Sequence, residues 1–497
     1  WFEPRATPQY YPMVHTSYWI EYRIWGLRPI GYHLVNILLH TANALLIALI
    51  LSRLSVPGAY LAAALFALHP VHVESVAWIT ERKNVLSGLF YLAAMWMYFR
   101  YTALANFAGG AQSASRWALY VSSLALFACA LLSKTVTCSL PAAILLILWW
   151  KRGEIRRADL LATAPFFAIG VAMGLVTVWL EKHHVGATGA DWDINALQRA
   201  TIAGRAVVFY VSKLLAPLDL SFIYPRWDIP AAPGIQLLYP AAVAVGAVIF
   251  WTTRERIGRA PFVALAFFAG TLFPALGFFN VFPMQYSFVA DHFQYLASIA
   301  VLAGVAAVLS RILWGRKFTA VALLTALAVM GVVTFRQSRV YKDAETLWRD
   351  TILVNPSAWM AHNNLGRCLA QRAIHDDAAA HFQKALDIRP GYRDGHYNLG
   401  LSMAQVGRTD EAIGHFMMEI TSYPDHAAAH RELGLAFGHA GKLQEAVNHL
   451  SESARLNALQ PAANFELGHA LIQLDRIADA RDAIDRGLRI GAGTPQA

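Results

Sequence analysis

Residues 391–424, GYRDGHYNLGLSMAQVGRTDEAIGHFMMEITSYP, carry the pattern that decides the fold of the C-terminal third of this chain. The Leu399–Gly400 pair, Ala412 and Phe416 recur in the neighbouring segments at positions 34 residues apart. The recurring columns are Leu365, Leu399, Leu433 and Leu467; Gly366, Gly400, Gly434 and Gly468; Ala378, Ala412, Ala446 and Ala480; Phe382, Phe416, Leu450 and Ile484; and Pro356, Pro390 and Pro424. Such a period predicts helix pairs that stack on one another, because one pair cannot bury its apolar face alone.

This pattern resembles the tetratricopeptide repeat in its period, its Leu–Gly pair, the small residue between the two helices and the terminal proline. The alignment of the columns predicts four repeats, over 357–390, 391–424, 425–458 and 459–492. Residues 341–356 look like the second half of an earlier repeat. Stacked repeats form a superhelix with a concave surface, which is typical of a binding module.

Upstream of the repeats the chain is strongly apolar. Of its 497 residues, 57% are hydrophobic and 15% are charged, whereas a soluble domain has about 45–50% and about 25%. A membrane-spanning helix needs about 20 mostly apolar residues. Ten runs are candidates, namely 31–52, 57–69, 85–106, 117–133, 136–150, 159–180, 235–252, 260–279, 293–311 and 318–335. We expect an all-α protein, with a polytopic membrane domain over 1–340 and a repeat superhelix over 341–497.

The basic residues predict an orientation, because Lys and Arg concentrate in short cytoplasmic loops. With the N-terminal segment outside, the inside loops carry 13 basic residues. They are Arg53, Arg100, Arg116, Lys151, Arg152, Arg156, Arg157, Arg254, Arg256, Arg259, Arg311, Arg316 and Lys317. The loops 69–84, 181–234 and 280–292 and the repeats then lie outside. This topology requires that 198–216 lies along the membrane surface as an amphipathic helix.

Composition argues against several other classes. The net charge is +9, and the basic residues lie between apolar segments. This arrangement indicates membrane orientation rather than nucleic-acid binding. The three cysteines lack CxxC spacing and predict neither a zinc site nor a disulfide framework. His69 and His72 have metal-ligand spacing but no third ligand, so we expect no metal and no cofactor. The chain starts at Trp1 without methionine, and we expect its natural N-terminus upstream.

The longest polar stretch between the early apolar runs is 69–84, HPVHVESVAWITERKN. Glu74 and Glu81 are seven residues apart, so a continuous helix would place them on one side, two turns apart. Arg82 and Lys83 can bind a phosphate group. The alternative is a solvated loop whose basic side chains extend to the lipid head groups.

A second polar cluster lies in 285–301, QYSFVADHFQYLASIAV, where Asp291 and His292 open an apolar run. An aspartate there can be a helix cap, and an ionisable residue near membrane depth can equally be functional. Lys134, in LLSKTVTCSLP, either extends to lipid head groups or binds an anionic substrate. Arg226 adds a further cation to the same outer face.

Four stretches of this chain resemble the bacterial relatives of the transmembrane and tetratricopeptide-repeat O-mannosyltransferases. They are YYPMVHTSYWIEYRIWGLRPIGYHLVNILLHTANALL, ALFALHPVHVESVAWITERKNVLSGLFYLAA, LLSKTVTCSLP and ADHFQYLASIAV. The resemblance covers essentially the whole chain and is most specific in the ALHPVHVESVAW and ERKNVLS segments. It implies a membrane fold of the GT-C class of glycosyltransferases, which take a sugar from a polyprenyl-phosphate carrier.

The resemblance implies transfer of a sugar, mannose in this family, to a protein hydroxyl on the outer side of the membrane. A carboxylate would accept the hydroxyl proton, while fixed cations would neutralise the leaving phosphate. The catalytic candidates are Glu74, Glu81, Asp291 and Glu21, and the lipid-phosphate-binding candidates are Arg82, Lys83, Lys134, His292 and Arg226. The family's catalytic base belongs to an acidic motif after the first membrane helix, which we expect upstream of Trp1. Glu21 is a poor substitute for that base.

The first helices of the predicted repeats align a column of polar and aromatic side chains. The column consists of Asn363, Asn364, Tyr397, Asn398, Arg431, Glu432, Phe465 and Glu466. These side chains can hydrogen-bond the backbone of an extended acceptor peptide, or they can merely solvate the helices.

The sequence leaves another function open, a non-catalytic scaffold whose repeats bind a partner complex while the membrane part anchors it. A transporter has less support, because no paired interrupted helices are visible. For the enzyme we expect a bacterial inner (cytoplasmic) membrane protein with periplasmic repeats. Its partners are then membrane lipid, the polyprenyl-phosphate sugar and a protein acceptor, and not nucleic acid.

Overall fold

The computed structural model describes residues 9–104, 107, 115–313 and 319–493. The chain divides into two compact units, Trp1–Lys342 and Asp343–Ala497. Both units are helical, and no strand occurs in the described ranges. The predicted inside-loop residues Arg316 and Lys317 lie outside these ranges.

The first unit contains fourteen α-helices in its described residues, several of them joined by short 3₁₀ turns. The helices are α1 Pro12–Trp25, α2 Pro29–Arg53, α3 Ala59–Leu68, α4 Val73–Ala77, α5 Arg82–Tyr101, α6 Arg116–Leu131, α7 Leu140–Arg152, α8 Arg157–Leu180, α9 Ala196–Leu215, α10 Leu238–Thr252, α11 Arg254–Ile257, α12 Ala260–Leu272, α13 Ser298–Leu313 and α14 Thr319–Ser338.

Local chemistry explains several of the helix ends. Pro29 occupies the first turn of α2, where its missing N–H costs no hydrogen bond. Gly153 ends α7 with a φ of 86°, a left-handed conformation that glycine adopts without steric cost. The Asn195 side chain accepts the N–H of Gln198, and the Gln198 side chain accepts the N–H of Asn195, both at 2.9 Å. This capping box starts the helix predicted over 198–216 at Ala196.

All ten predicted spans contain helices, but fewer of these are long enough to cross a membrane alone. Four helical segments of the described residues qualify by length and apolarity, namely Pro29–Arg53, Arg157–Val185, Gly234–Thr252 and Val321–Lys342. A fifth forms if Ala59–Leu68 and Pro70–Ala77, which meet at an angle of 53°, count as one broken span. The other predicted runs contain shorter helices or, in α5, charged residues at both ends. The first unit is therefore a multi-pass membrane region.

The second unit consists of nine α-helices in its described residues. The helices are α15 Ala344–Val354, α16 Trp359–Gln371, α17 His375–Ile388, α18 Gly395–Gln405, α19 Thr409–Ser422, α20 Ala427–His439, α21 Leu443–Leu456, α22 Pro461–Gln473 and α23 Ile477–Gly493. Each predicted repeat contains two of these helices, and α15 lies in the predicted half repeat.

Two of the recurring sequence columns meet inside each repeat. A Cβ atom added to Gly400 would lie 2.7 Å from Cε1 of Phe416, and the corresponding distance from Gly366 to Phe382 is 2.8 Å. In the last two repeats the glycine faces a leucine or an isoleucine in the same way. The glycine column therefore exists because the first helix of each pair approaches a buried side chain of the second without room for a methyl group.

We expect opposite effects from two glycine substitutions in the second repeat. Gly400→Ala inserts a methyl group against the buried Phe416 ring, and overpacking of this kind costs about 1–3 kcal/mol, partly offset by the better helix propensity of alanine. Gly414, inside α19, has no atom within 4 Å of an added Cβ, so Gly414→Ala should stabilise the repeats by about 0.5–1 kcal/mol. Urea unfolding of the full chain, followed by circular dichroism, measures both. Equal effects of the two substitutions would contradict the assigned helix contact.

Candidate active site

The polar segment 69–84 is buried, so it is not a solvated loop. It forms α4 between two 3₁₀ turns, and an extended residue, Trp78, interrupts it with φ −79° and ψ 107°. Glu74 and Glu81 consequently do not share one continuous helix, contrary to the prediction from their spacing. Both carboxylates are nevertheless buried, with 2% and 0% of their residue surface exposed.

The two histidines of this segment make structural hydrogen bonds. His69 Nε2 lies 3.0 Å from the carbonyl oxygen of Leu214. His72 Nδ1 lies 2.7 Å from the carbonyl oxygen of Phe66, and its Nε2 lies 2.9 Å from Ser298 Oγ. Three of their four ring nitrogens are thus occupied by oxygen partners from the surrounding helices.

Glu81 is the centre of a buried network that contains two lysines. Lys83 Nζ lies 2.8 Å from Glu81 Oε1, and Lys134 Nζ lies 3.6 Å from Glu81 Oε2. The Asn84 amide links the groups, because its Nδ2 donates to Glu81 Oε2 at 2.9 Å and its Oδ1 accepts from Lys134 Nζ at 2.5 Å. Asn84 Nδ2 also lies 3.0 Å from the carbonyl oxygen of His292. This network brings α5, the turn after α6 and the start of the 291–294 turn together.

The network keeps Glu81 ionised. Burial opposes its ionisation, but His292, Lys83 and Lys134 lower the pKa of Glu81 to about 2. Burial also lowers the pKa of Lys134 to about 8, although Glu81 acts in the opposite direction. Lys134 is therefore a cation at pH 7 that loses its charge in mildly alkaline solution.

Two further carboxylates lie next to this network. Glu74 Oε1 lies 2.9 Å from His292 Nδ1, and Glu74 Oε2 accepts the His292 N–H at 2.9 Å. Asp291 accepts the hydroxyl of Tyr224 at 2.9 and 3.0 Å. Burial and the nearby Glu74 raise the pKa of Asp291 well above its usual value. This shift favours the protonated form of Asp291, which argues against a role as the base.

Arg82 and Glu21 occupy a separate place. The Arg82 guanidinium binds both oxygens of Glu21, the Asn36 side chain and the carbonyl oxygen of Tyr32. Arg82 has no exposed surface, and Glu21 has 5%. This pair connects α1, α2 and α5. The hydrogen bonds of the Arg82 guanidinium are made to groups of the protein, so the pair has a structural role.

A cavity of about 1050 Å³ opens beside the Glu81 network. Its polar lining includes Lys83, Lys134, His292 and Glu181. The rest is mostly apolar and comes from α8, α9, α10 and α12 with the residues that follow α12, including Val171, Leu175, Val207, Val243, Ala247 and Phe273. This volume, slightly above the about 300–1000 Å³ that is usual for ligand sites, can hold a polar group and an apolar chain together.

The cavity therefore separates the predicted phosphate-binding residues into two groups. Lys83, Lys134 and His292 line it, whereas Arg82 and Arg226 do not. The Arg226 side chain binds carbonyl oxygens of Met284 at 2.9 Å and of Asp191 at 2.7 Å.

Sequence reasoning missed two polar residues of this site. Asn84 is the last residue of the polar segment 69–84, and nothing in that segment marks it as part of a site. Its role depends on contacts from three parts of the chain. Glu181 directly follows α8, and its Oε2 accepts the N–H of Phe282 at 2.9 Å. The sequence did contain a signal for Glu181, because it is an acidic residue immediately after a predicted span.

The predicted acceptor column lies in the first helices of the repeats and is partly exposed. Asn398 Nδ2 donates to Asn363 Oδ1 at 3.1 Å. Arg431 binds Glu466 at 2.5 Å and Glu432 at 2.9 Å. Members of the column thus connect neighbouring repeats to one another, and Asn364, Tyr397 and Phe465 are its partly exposed or exposed members without such a contact among the hydrogen bonds described above.

Comparison with known proteins gives a match over the repeat region. The family model described as tetratricopeptide repeat matches residues 331–393, 397–455 and 433–495. Among solved structures, MamA 41-end from Desulfovibrio magneticus RS-1 has 16% identity and a TM-score of 0.29, covering 31% of this chain and 86% of that one. YrrB, described as a TPR protein with an unusual peptide-binding site, has 15% identity and a TM-score of 0.28. The match covers 37% of this chain and 93% of that one.

Curated relatives also match parts of the chain. Protein O-mannosyl-transferase tmtc2 of Xenopus laevis is 27% identical over 249 residues, which are 46% of this chain and 29% of that protein. This chain is similar to the protein O-mannosyl-transferases. Tmtc1 of Drosophila melanogaster is 39% identical over 92 residues, 18% of this chain and 11% of that protein. Human TMTC2 is 33% identical over 127 residues, which are 25% of this chain and 15% of that protein. The chain thus spans less than a third of the length of each of these relatives.

We expect the Arg82–Glu21 pair to contribute to folding as a unit. Glu21→Leu or Arg82→Met alone leaves a buried charge without its partner, which costs about 3–5 kcal/mol. The double variant removes both charges and should cost less than the sum of the two single losses. Thermal unfolding of the full chain in detergent measures the three variants, with the exposed Arg23→Met on α1 as control. Additive losses would show that the two charges do not depend on each other.

Proposed function

We propose that this protein is a membrane glycosyltransferase that moves a sugar, mannose as the names of its relatives indicate, from a polyprenyl-phosphate carrier to a serine or threonine of a protein acceptor. One observation carries the proposal: two partly buried lysines, Lys83 and Lys134, line a large cavity whose other walls are mostly apolar. The similarity to protein O-mannosyl-transferases supports the same reaction class.

The cavity has the two chemical environments that a lipid-linked sugar phosphate needs. Ammonium groups of Lys83 and Lys134 can bind the phosphate, because a charge-assisted hydrogen bond is strong where water is excluded. The apolar walls can take the first isoprenoid units, whose burial is favourable by about 25 cal/mol per Å². Glu81 holds both lysines near one point, so that little reorganisation is needed when charge develops on the leaving phosphate.

The proposed chemistry is an inverting displacement. The acceptor hydroxyl oxygen forms a bond to the anomeric carbon, while the bond from that carbon to the phosphate oxygen breaks and its electron pair leaves with the phosphate. We assign the hydroxyl proton to the Glu74–His292 pair, because His292 lines the cavity and Glu74 orients its ring at 2.9 Å. Glu81 and Asp291 position neighbouring groups in this scheme, and Glu21 supports the fold through Arg82.

The repeats supply the acceptor site in this proposal. Asn364, Tyr397 and Phe465 present hydrogen-bonding and apolar groups along the first helices, where an extended peptide can lie. In this scheme the two lysines provide the positive charge that binds the leaving phosphate.

Removing either lysine should slow transfer at least tenfold, because a transition-state donor contributes about 2.7–4 kcal/mol. The variants are Lys83→Gln and Lys134→Gln, and Lys151→Gln, near the C-terminal end of α7, is the matched control. The measurement is mannose transfer from polyprenyl-phosphate mannose to an acceptor peptide by the full chain. The parent enzyme should also lose donor affinity above about pH 8, where Lys134 becomes neutral, and Lys134→Gln should lack this loss.

Transfer at the parent rate by both lysine variants would remove the lysines from the active site. No transfer by the intact parent protein, with a folded chain and partners still bound through the repeats, would favour the scaffold function instead.

We assign the repeats to the periplasmic side of a bacterial inner membrane, on the basis of the basic residues in the opposite loops. In a background without native cysteines, Asp410→Cys should react with a membrane-impermeant maleimide in cells with a permeabilised outer membrane. Arg156→Cys, in a predicted inside loop, should react only after the inner membrane is opened. The reverse labelling pattern would invert the topology.

A further inference from the structure

Three histidine pairs recur in the repeat unit with the 34-residue period. Each pair joins the first helix of a repeat to the second, and the two Nδ1 atoms face each other. The distances between these atoms are 3.1 Å for His362 and His381, 3.2 Å for His396 and His415, and 3.2 Å for His430 and His449. The ring centroids are 5.3 to 5.4 Å apart in all three pairs. The fourth repeat has Asn464 and Ala483 at these positions.

The hydrogen bonds determine where the protons lie in two of the pairs. His362 Nε2 lies 3.1 Å from the carbonyl oxygen of Pro356, and His430 Nε2 lies 3.2 Å from that of Pro424. A carbonyl only accepts hydrogen bonds, so both Nε2 atoms carry a proton and both Nδ1 atoms carry the lone pair. The neutral partner ring must then donate from its own Nδ1.

His362 and His430 have the arrangement that metal-ligating histidines show. Such histidines donate one ring N–H to a backbone carbonyl or carboxylate, which orients the lone pair of the other nitrogen toward the ion. Burial also lowers the pKa of most of these rings, so they are neutral and can coordinate at pH 7. The second ring of each pair is only half-buried, so an ion can approach from solvent.

The separation of the nitrogens fits an ion between them. Zinc–nitrogen bonds are about 2.0–2.1 Å, so two nitrogens at a tetrahedral angle lie about 3.3–3.4 Å apart. A right angle at the same bond length gives about 2.9 Å. The observed 3.1 to 3.2 Å lies between these values, and small ring rotations reach either geometry.

The charges around the pairs are mixed and do not exclude a cation. Asp377 acts on His381, Glu411 on His415 and Glu419 on His396, each favouring positive charge. The opposing cations are Arg349 beside His381, Lys384 beside His362 and Arg408 beside His415. Arg408 is neutralised by its 2.6 Å ion pair with Glu411, and Glu452 lies near His430.

A different cluster, Asp394, Glu419 and His426, is less suited to an ion although its ligand atoms lie within 4.8 Å of one another. His426 Nδ1 accepts the N–H of Ala429 at 3.0 Å, so Nε2 carries the proton and donates to Asp394 at 2.7 Å. Glu419 accepts two backbone N–H groups at the start of α18. This cluster is a completed capping network.

We propose that each of the three histidine pairs binds one divalent transition-metal ion of the zinc class through its two Nδ1 atoms, with water completing the coordination. Binding requires the proton of the second ring to move from Nδ1 to Nε2, so both rings coordinate as neutral imidazoles and no net proton is released. The ion connects the two helices of one repeat and stabilises them against unfolding. The proposal does not depend on the transferase activity.

The test is a titration of Zn²⁺ into the full chain, purified in detergent without a histidine tag and stripped with EDTA, followed by calorimetry. We expect three ions per chain, two in each single variant and none at the pairs in the triple variant. The variants are His381→Gln, His415→Gln and His449→Gln, in which the glutamine amide can keep the hydrogen bond to the first ring. The control is His439→Gln with His469→Gln, two exposed histidines outside the pairs.

Unchanged stoichiometry in the triple variant would overturn the proposal, as would an equal loss in the control. If circular dichroism shows that the triple variant is unfolded, the single variants decide, each by the loss of one ion or of none. Co²⁺ provides a second measurement, because coordination by the pairs should produce an absorption spectrum that the single variants weaken by about one third each.

Discussion

Glu81 is a carboxylate buried in an apolar helical region, and the organisation of the membrane unit around it follows from the cost of that burial. An isolated ionised carboxylate away from water is several kcal/mol less stable than in solution. Lys83, Lys134 and Asn84 offset this cost by direct contacts. Each of them comes from α5 or from the turn after α6, so the position of the carboxylate constrains how these elements approach.

The same constraint explains why charged residues gather at one place. Two lysines without Glu81 would repel each other and lose their charge on burial, whereas with it they remain close and at least partly protonated. A site prepared in this way binds an anion with little rearrangement, which is the property that phosphate-transfer and glycosyl-transfer sites share. Arg82 and Glu21 also offset each other's buried charge. Their hydrogen bonds lie within the protein, so the Arg82 guanidinium has no donor left for a ligand.

The repeat unit depends on steric fit rather than on charge. Its glycine column and its column of large apolar residues are 16 positions apart in the sequence and touch in space, as at Gly400 and Phe416. The same close approach of the two helices brings His396 next to His415, because these residues lie on the adjoining faces. Packing and the histidine pairs are therefore consequences of one helix–helix contact that is repeated along the array.

The sequence by itself determined the helical class, the position of the repeats and the approximate place of each apolar helix. These properties follow from period and composition, which are local and need no knowledge of partners. Lys83, Lys134 and His292 were also recognisable as candidates, because charged residues beside apolar runs are uncommon.

Only the tertiary structure decided which of these candidates share a cavity. Spacing suggested that Glu74 and Glu81 lie on one helix, but Trp78 interrupts it, and Arg82 is turned toward Glu21 although it adjoins Lys83 in the sequence. Partners such as Lys134 and Asn84 are 50 residues apart, and no local pattern specifies contacts at that distance. The physical reason is that the packing of all the helices together determines which buried charges come into contact. That packing depends on many residues at once and not on any local stretch of sequence.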